Sequence, residues 1–440
     1  MAHGGGTWLT QNKVMPGTYI NFTSLAKAAA ALSDRGIAAA PFELNWGPEG
    51  TVFEVTSGDF QKNSKAIFGY GYDAPEMLFL REIFLHATKV YCYRLGDGGV
   101  KASNDYGTAK YPGIRGNAIV LTIAQSVDDE ACYDVETLVD GVLCDSQTVS
   151  GAASLVDNDF VAFKKDAVLQ EEAGVPMTGG TNCSSVTGAH HQAFLDRIES
   201  YSFNTLCCPA ADDAIVTLYS KFTERVRDEL GSKFQLVAYR PGADYEGVIG
   251  VWNESSHAYL AQTVKHSLVY WVAGVQAAAE INESLTNAAY DGELTVDVGL
   301  TQSELEAGIK TGKLLFHDVN GTVRVLEDIN TLVTLTDEKN ELFQSNQTMR
   351  VCDQIANDIA VLFSERYVGK VPNDASGRAA LWNDAVKLIQ ELERIRAVEN
   401  FDSSQVSIEI GDSKKSVLMT ISGLSIVNAM SQLYMSVVIQ

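Results

Sequence analysis

The sequence ends in a stretch of a kind that chain ends rarely have. No charged side chain occurs from Ser416 to Gln440, whereas chain ends are normally polar and frayed unless something holds them. The stretch finishes on a β-prone segment that contains Leu433, Tyr434, Met435, Val437, Val438 and Ile439. A strand of this kind has to pair with a sheet. The sequence alone leaves open whether that sheet belongs to the same subunit or to a neighbouring one.

Length and composition indicate a globular protein of several domains. A chain of 440 residues corresponds to about two to four domains. Hydrophobic residues make up 46% of the chain and charged residues 20%, as in ordinary folded domains. The net charge is −23, from 56 acidic and 33 basic side chains. This balance argues against a nucleic-acid-binding protein, because such proteins carry a basic stripe or domain.

The sequence carries no mark of export or of a membrane anchor. Seven cysteines, without the spacing of a small disulfide-stapled domain, predict reduced thiols. The first residues have neither the basic region nor the apolar run of a signal peptide. The longest apolar run, Leu268 to Ala279, is interrupted by Gln276 and is far shorter than the roughly 20 residues of a membrane helix. We therefore expect a protein that folds in a cytoplasm and does not insert into membranes.

The first 95 residues predict an arm followed by strands and one helix. Gly4 to Gly6 form a flexible lead to a predicted strand made of Thr18, Tyr19, Ile20, Asn21 and Phe22. A strand over Arg35 to Leu44 contains Pro41, which predicts a sheet edge or a bulge because proline has no amide hydrogen for the ladder. The remaining predictions are strands over Val52 to Val55 and Val90 to Leu95, and a helix over Pro75 to Ala87 with Asp73 as its N-cap.

The middle of the chain changes character twice. From residue 96 to 188, glycine-rich turns separate short β-like pieces, which predicts a mostly β module inserted into a larger domain. Strands and helices then alternate, which predicts a parallel sheet with right-handed crossovers. The predicted strands are Phe203 to Cys208, Phe234 to Tyr239 and Val248 to Trp252; the predicted helices are one capped by Asp212 or Asp213 and ended by Gly231, and one over Ala258 to about Ala279.

The last third predicts hairpins and two helices. Thr301 and Glu304 form a capping box, and Asn320-Gly321 predicts a tight hairpin between Leu314 and Leu326. One helix presents Cys352, Ile355, Ile359 and Leu362 on a face, and the next presents Leu381, Leu388, Leu392 and Ile395. A final hairpin, Val406 to Ile410 with Ser416 to Ile421, leads into the uncharged end.

No set of residues demands an enzyme. Gly179-Gly180 resembles a phosphate loop only loosely, because the lysine of that motif is absent. His190-His191 with Cys183 or Cys207-Cys208 matches no zinc spacing. The nucleophile pattern G-x-S-x-G does not occur. We therefore predict no catalytic residue, no cofactor and no metal site.

Several separate stretches resemble one family. They are TAKYPGIRGNAI (Thr108 to Ile119), PMTGGT (Pro176 to Thr181), FNTLCCPAADDAI (Phe203 to Ile215), ADYEGVIGVWN (Ala243 to Asn253), SLTNAAYDG (Ser284 to Gly292) and the closing VNAMSQLYMSVVIQ. Together they are similar to the contractile tail sheath proteins of myophages, in particular those of phages, defective prophages and R-type bacteriocin particles of Gram-positive bacteria. The stretches fall in the expected order over nearly the whole chain, and none of them is catalytic.

The resemblance implies a mechanical protein. Sheath subunits stack as six-membered rings around an inner tail tube, between a baseplate and a tail terminator, and contract to drive the tube through a bacterial envelope. Their terminal arms add strands to sheets of neighbouring subunits. Here Thr18 to Phe22 and Leu433 to Ile439 would be the donated strands. The alternative from the residues alone is a soluble α/β enzyme with an inserted β domain and an unrecognised active site.

The expected fold is therefore α+β and multidomain. We expect an α/β core sheet with a βαβ unit, built from N-terminal and C-terminal parts of the chain, an inserted mostly β domain and extended terminal arms. The predicted division is an N-terminal arm (1–32), a core in two parts (33–95 and 336–425), an outer β domain (96–188), a central α/β domain (189–335) and a C-terminal strand arm (426–440).

Overall fold

The computed structural model describes residues 32–258 and 264–439. The first part of the chain contains strands β1 (Ile37–Phe42), β2 (Val52–Thr56) and β3 (Lys89–Arg94) with helices α1 (Ser57–Phe68) and α2 (Leu78–Phe84). The next part contains β4 (Gly107–Ala109), β5 (Ile119–Gln125), β6 (Tyr133–Val139), β7 (Val142–Val149), β8 (Val161–Phe163) and β9 (Glu172–Pro176).

The second half of the chain alternates helices and strands before it becomes helical. It contains α3 (Gly188–Ile198), β10 (Thr205–Cys208), α4 (Asp213–Arg225), β11 (Gln235–Tyr239), β12 (Val248–Val251), β13 (Ser255–Ser256), α5 (Leu268–Ala278), β14 (Thr295–Val296), α6 (Gln302–Lys310), β15 (Phe316–Val319) and β16 (Thr322–Val325). The C-terminal part contains α7 (Asn346–Arg366), α8 (Ala375–Arg394), β17 (Val398–Glu399), β18 (Val406–Ile410), β19 (Val417–Ile421) and β20 (Ser425–Ile426).

A six-stranded sheet forms the core, in the order β12-β11-β10-β1-β3-β2. Neighbouring strands are parallel except β2, which runs antiparallel to β3. One face packs against α1, α2 and α5, and the other against α3 and α4. The central strands are apolar throughout because both faces are covered. None of the described strands after Val251 joins this sheet, so the C-terminal part contributes helix packing rather than the share of the sheet that the sequence suggested.

Pro41 lies in a central strand, and the prediction of an edge strand or bulge was wrong. β1 pairs with β3 along its whole length, whereas β10 pairs only with Ala38 and Ala39. The ladder on the β10 side therefore ends before Pro41. The missing amide hydrogen costs no hydrogen bond there, which is why a proline is tolerated in the middle of the sheet.

Two predicted helices are shorter than expected. Asp73 is not a cap: a single 3₁₀ turn, Pro75–Met77, precedes α2, and Ala74 occupies its N-cap position without a side-chain bond. The helix predicted from Ala258 begins only at Leu268, because Ser255–Ser256 pair with β14 and the described residues just before α5 form turns. α4 follows the prediction, with Asp212 accepting from two helix amides and Gly231 ending the π-helical turn that follows α4.

The inserted part has its own core. Its main sheet has the order β7-β6-β5-β9, and β4 pairs with β8 in a second, two-stranded sheet. The apolar side chains between them form one cluster with Trp46, which comes from the loop after β1. This part is therefore folded around its own apolar interior and joined to the core by a buried tryptophan.

The helix α7 is buried through polar side chains. The predicted apolar face holds up only in part, since Leu362 is buried whereas Cys352, Ile355 and Ile359 are half-buried. α8 packs beneath the hairpin of β18 and β19. None of the described helices combines the length and the apolar character needed to cross a bilayer.

Candidate functional site

The C-terminal segment is the most exposed apolar part of the described chain. The apolar side chains of residues 430–439 are between 69% and 101% exposed; they are Met430, Leu433, Tyr434, Met435, Val437, Val438 and Ile439. No hydrogen bond joins the main chain of these residues to another described residue. The segment therefore lies outside the fold of its own subunit, as far as the described chain extends.

The segment has the pattern of a strand with one apolar face. Successive side chains of a strand point to opposite faces. In an extended conformation one face would carry Leu433, Met435, Val437 and Ile439, and the other Tyr434, Ser436 and Val438. In that conformation its ten residues would span roughly 33 Å, which is long enough to reach a neighbouring subunit.

The main chain leaves the body after Ala429. β20 pairs with β17, and the amide of Val427 donates to the carbonyl of Ala397. The amide of Ala429 makes the last main-chain contact, to the side chain of Gln347 at 3.0 Å. The sequence-predicted strand Leu433 to Ile439 thus begins four residues beyond this point. The other predicted strand, Thr18 to Phe22, lies outside the described residues.

The C-terminal part of the chain also contains a two-stranded hairpin whose outer edges have no strand beside them in the described structure. β18 and β19 pair only with each other in the described structure. Their inner face packs on α8, and Leu418 on the outer face is 56% exposed. Beside the start of β19 is a cavity of about 210 Å³ whose walls include Phe363, Val368 and Val371. An isolated two-stranded sheet is only marginally stable, so the hairpin offers a place where further strands can add.

A crevice lies at the switch point of the core sheet. A cavity of about 430 Å³ lies beyond the carboxyl ends of β1 and β10, where open α/β sheets bind ligands. Burial lowers the pKa of His191 to about 4 and also lowers the pKa of His266. The Asp212 carboxylate is already used to cap α4. Among the described residues no group of three or more His, Cys, Asp or Glu side chains is arranged to hold a metal ion.

The histidine and cysteine pairs have structural surroundings. His191 Nδ1 lies 2.9 Å from the hydroxyl of Tyr219 in the interior. His190 contacts Thr187 at the start of α3. Cys207 and Cys208 are buried in β10, and burial raises the pKa of both thiols. His191, Cys207 and Cys208 therefore belong to the interior, and His190 belongs to the N-terminal cap of α3.

Four sheath-protein domains match this chain in order. Residues 35–95 match the tail sheath protein Gp18 domain III N-terminal region, and residues 97–182 match the phage tail sheath protein beta-sandwich domain. Residues 184–331 match the phage tail sheath protein central domain, and residues 338–440 the phage tail sheath C-terminal domain. The chain belongs to the phage tail sheath protein family. The resemblance inferred from the sequence is confirmed.

Relatives of this sheath-family chain match it over almost its full length. The phage-like element PBSX protein XkdK of Bacillus subtilis is 31% identical over 98% of this chain and 99% of its own. The sheath tail protein of Listeria innocua has a structure with a TM-score of 0.81 and 30% identity, covering 92% of this chain and 95% of that one. The contracted helical sheath of the anti-feeding prophage shares the fold at a TM-score of 0.54 and 11% identity, over 97% and 99% of the two chains.

The family excludes the enzyme alternative. Its members among the relatives and structural neighbours are structural sheath proteins. The protein is therefore a structural component of a phage tail or phage-like particle, and the prediction that it is not an enzyme is confirmed. Its multidomain α+β fold with a beta-sandwich domain is also confirmed.

Sequence reasoning missed the polar residues by which α7 is buried. They are Asn346, Gln347, Arg350, Asp353, Gln354 and Asp358, each 7% exposed or less. A search for apolar periodicity cannot find a helix face of this kind. The available signal was amide and charged side chains recurring at spacings of three and four along a helix.

Proposed function

We propose that this protein polymerises into a contractile sheath around an inner tail tube. Subunits would form six-membered rings stacked helically, and the sheath would contract from a metastable extended state to drive the tube through a bacterial envelope. Neighbouring subunits would be linked by donated strands, Leu433 to Ile439 at one end and Thr18 to Phe22 at the other. The single observation that carries this proposal is the exposed, uncharged, unpaired segment 430–439.

Side-chain burial alone would not hold the donated strand. Burying one face, made of Leu433, Met435, Val437 and Ile439, contributes roughly 6 to 12 kcal/mol, at about 1.5 to 3 kcal/mol for each side chain. Ordering the seven residues of the strand costs roughly 7 to 14 kcal/mol, at about 1 to 2 kcal/mol each. The two quantities nearly cancel. The main-chain hydrogen bonds of a sheet ladder, each worth about 0.5 to 1.5 kcal/mol, therefore decide whether the arm binds.

The acceptor that the structure favours is the hairpin of β18 and β19 in a neighbouring subunit. Its edges are open in the described chain, and a third strand would convert a marginal two-stranded sheet into a stable one. The cavity beside β19 has room for apolar side chains of an added strand. An arm of one subunit placed on the hairpin of the next makes a heterologous contact, which builds a helical tube when the rotation does not close.

Main-chain pairing also suits a lattice that rearranges. β-augmentation depends on backbone hydrogen bonds, which survive when rigid bodies rotate about flexible connections. The described segment after Ala429 has no main-chain hydrogen bond to the body that would restrain such rotation. No nucleotide is required in this scheme, because the energy of contraction is stored when the extended sheath assembles.

The partners and location follow from the same scheme. The chain would contact its own copies, the inner tube protein, and the baseplate and tail terminator at the two ends of the sheath. Assembly would take place in the cytoplasm of the bacterial host. Neither nucleic acid nor membrane lipid would be a direct partner.

Deletion of residues 433–440 tests the proposal. We expect the full-length protein to form tubes with a wide lumen in electron micrographs. The truncated protein should keep the unfolding temperature of the body, because the deleted residues make no described contact with it, yet should stay dispersed. Normal tubes from the truncated protein would contradict strand donation. A full-length protein that stays monomeric at high concentration would contradict polymerisation itself.

A further inference from the structure

Helix α7 presents two adjacent rows of buried or half-buried polar side chains, and only the second row bonds to the segments next to the two ends of the described chain. Residues Asn346, Arg350, Asp353 and Asn357 follow one another at spacings of four, three and four, which places them on one stripe of the helix. Gln347, Gln354 and Asp358 fall on the next stripe, about 100° around the axis.

The first stripe binds the body. Arg350 Nη2 donates to Asp328 Oδ2 at 3.0 Å, and both side chains are 1% exposed. Asp353 accepts two hydrogen bonds from Arg227, at 2.7 and 2.8 Å. Removing one partner of a buried ion pair is strongly destabilising. α7 is therefore fixed to the turn after α4 and to the loop after β16 by contacts that cannot be exchanged for water without loss.

The second stripe binds the start of the C-terminal arm. Gln347 Nε2 donates to the carbonyl of Val427 at 3.1 Å and to the carbonyl of Asn282 in the body at 2.7 Å, and Gln347 Oε1 accepts from the amide of Ala429 at 3.0 Å. The bonds to Val427 and Ala429 are the two that a residue of a parallel neighbouring strand would make to residues flanking position 428. The buried carboxamide of Gln347 thus makes the hydrogen bonds that a neighbouring strand would make, and it holds the chain extended up to Ala429. Thr348 Oγ1 adds a bond to the side chain of Asn428 at 3.1 Å.

The same stripe binds the chain next to the N-terminal arm. Gln354 Nε2 donates to Ser33 Oγ at 2.7 Å and to the carbonyl of Ser33 at 3.3 Å. Asp358 accepts from the amide and the hydroxyl of Ser33. Gln354 also donates to Asp358, at 2.8 Å, so the two side chains act as one clamp.

Apolar contacts bring the two arm roots together as well. Leu32, the first described residue, and Ile426, next to the C-terminal segment, pack on a single cluster between α7 and α8, which includes Val351 of α7. The centres of the two clamps, Gln347 and Gln354, are seven helical residues apart, or about 10 Å. Both ends of the described body are thus attached to three turns of one helix.

We infer that α7 is the common root of both terminal arms and transmits force between them. This inference rests on the proposed strand donation and specifies how one subunit connects its two neighbours. A pull on a donated strand reaches α7 at the Gln347 clamp and passes along the helix to the Gln354–Asp358 clamp. The buried ion pairs of the first stripe, Arg350–Asp328 and Arg227–Asp353, connect the helix to the rest of the body, so the body moves together with the helix.

Hydrogen exchange of the unassembled protein tests the root itself. In Gln347→Met, a near-isosteric variant without the carboxamide, the amide of Ala429 should exchange roughly tenfold faster. The amide of Val427 should keep its rate, because its bond runs to the main chain of Ala397. In Gln347→Glu an oxygen still accepts from Ala429, so that amide should stay protected. Gln192→Met, at an exposed position of α3, is the matched control. An unchanged exchange rate of the Ala429 amide in Gln347→Met would overturn the inference that Gln347 holds the start of the C-terminal arm.

Urea dissociation of assembled tubes tests the transmission of force. Tubes of Gln347→Met and of Gln354→Met should dissociate at lower urea than tubes of Gln192→Met, by more than the unfolding midpoints of their unassembled bodies differ. Equal dissociation midpoints would overturn the role of α7 while leaving strand donation intact, which the deletion of residues 433–440 tests separately. If the full-length protein forms no tubes, the proposal of strand donation fails. The exchange measurement still tests whether Gln347 holds the start of the C-terminal arm.

Discussion

Proline substitutions in the C-terminal arm separate assembly from folding. Val437→Pro and Val438→Pro each remove one amide hydrogen and fix φ near −65°. In the free subunit neither change should matter, since the segment is exposed and its main chain has no described partner. In a ladder, adjacent residues direct their amides to opposite sides. At least one of the two prolines must therefore fall on the side that faces the acceptor strand.

The size of the effect follows from the lost ladder bond. A carbonyl of the acceptor strand is left without its donor, which costs about 1 to 3 kcal/mol. At about 1.4 kcal/mol for each factor of ten, the critical concentration for tube formation should rise roughly 5- to 150-fold. The strand itself remains apolar, so a failure to assemble could not be attributed to lost hydrophobic area.

Sedimentation of tubes across a concentration series measures this quantity. Val437→Ala and Val438→Ala are the controls, because they shorten the same side chains and keep the amides. The unfolding temperature of the unassembled protein should be the same for all four variants. Should both proline variants assemble at the concentrations of their alanine counterparts, the arm would not be held by a ladder and the reasoning would fail.

Three further predictions concern the body. Burial raises the pKa of the Glu82 carboxyl to about 7, so its contribution to stability is full below about pH 4.5 and is lost as the pH rises through 7. Between pH 5 and 8 the free energy of unfolding of the wild type should fall by about 2.5 kcal/mol relative to Glu82→Gln, and parallel pH profiles from urea unfolding would contradict this. Arg350→Met leaves Asp328 buried without its cation and should cost about 3 to 5 kcal/mol in the same assay, whereas Arg394→Met on the surface should change little. On intact particles a protease should cut within residues 96–188, which we expect to lie on the outer surface; complete protection would place that part elsewhere.

Local signals allowed much of the fold to be predicted. The Thr301–Glu304 capping box is present as expected, and the Asn320-Gly321 turn joins β15 to β16 with positive φ at both residues. These features depend on residues close together in sequence, which is why the sequence reveals them. The uncharged C-terminal stretch could also be recognised from the sequence, because a run of residues without charge is visible before any partner is known.

Features that depend on distant partners could not be predicted. Pro41 is tolerated in a central strand because β1 pairs with β10 only at Ala38 and Ala39, and no residue near Pro41 signals where that pairing ends. The buried polar side chains of α7 could not be predicted for the same reason. A glutamine at position 347 looks like an ordinary surface residue until the carbonyl of Val427 and the amide of Ala429 are known to lie beside it.

The polar character of that row is physically consistent with a connection that bears tension. Apolar contacts are non-directional and roughly proportional to area, so a chain pulled along an apolar surface can exchange one contact for the next at little cost. A hydrogen bond to a particular amide has no equivalent one residue further along, and breaking it in a buried site leaves both groups without partners. The clamps at Gln347 and at Gln354–Asp358 therefore fix the register of the two arm roots. At the C-terminal side the last of these main-chain hydrogen bonds is made by Ala429, and the described residues after it have none.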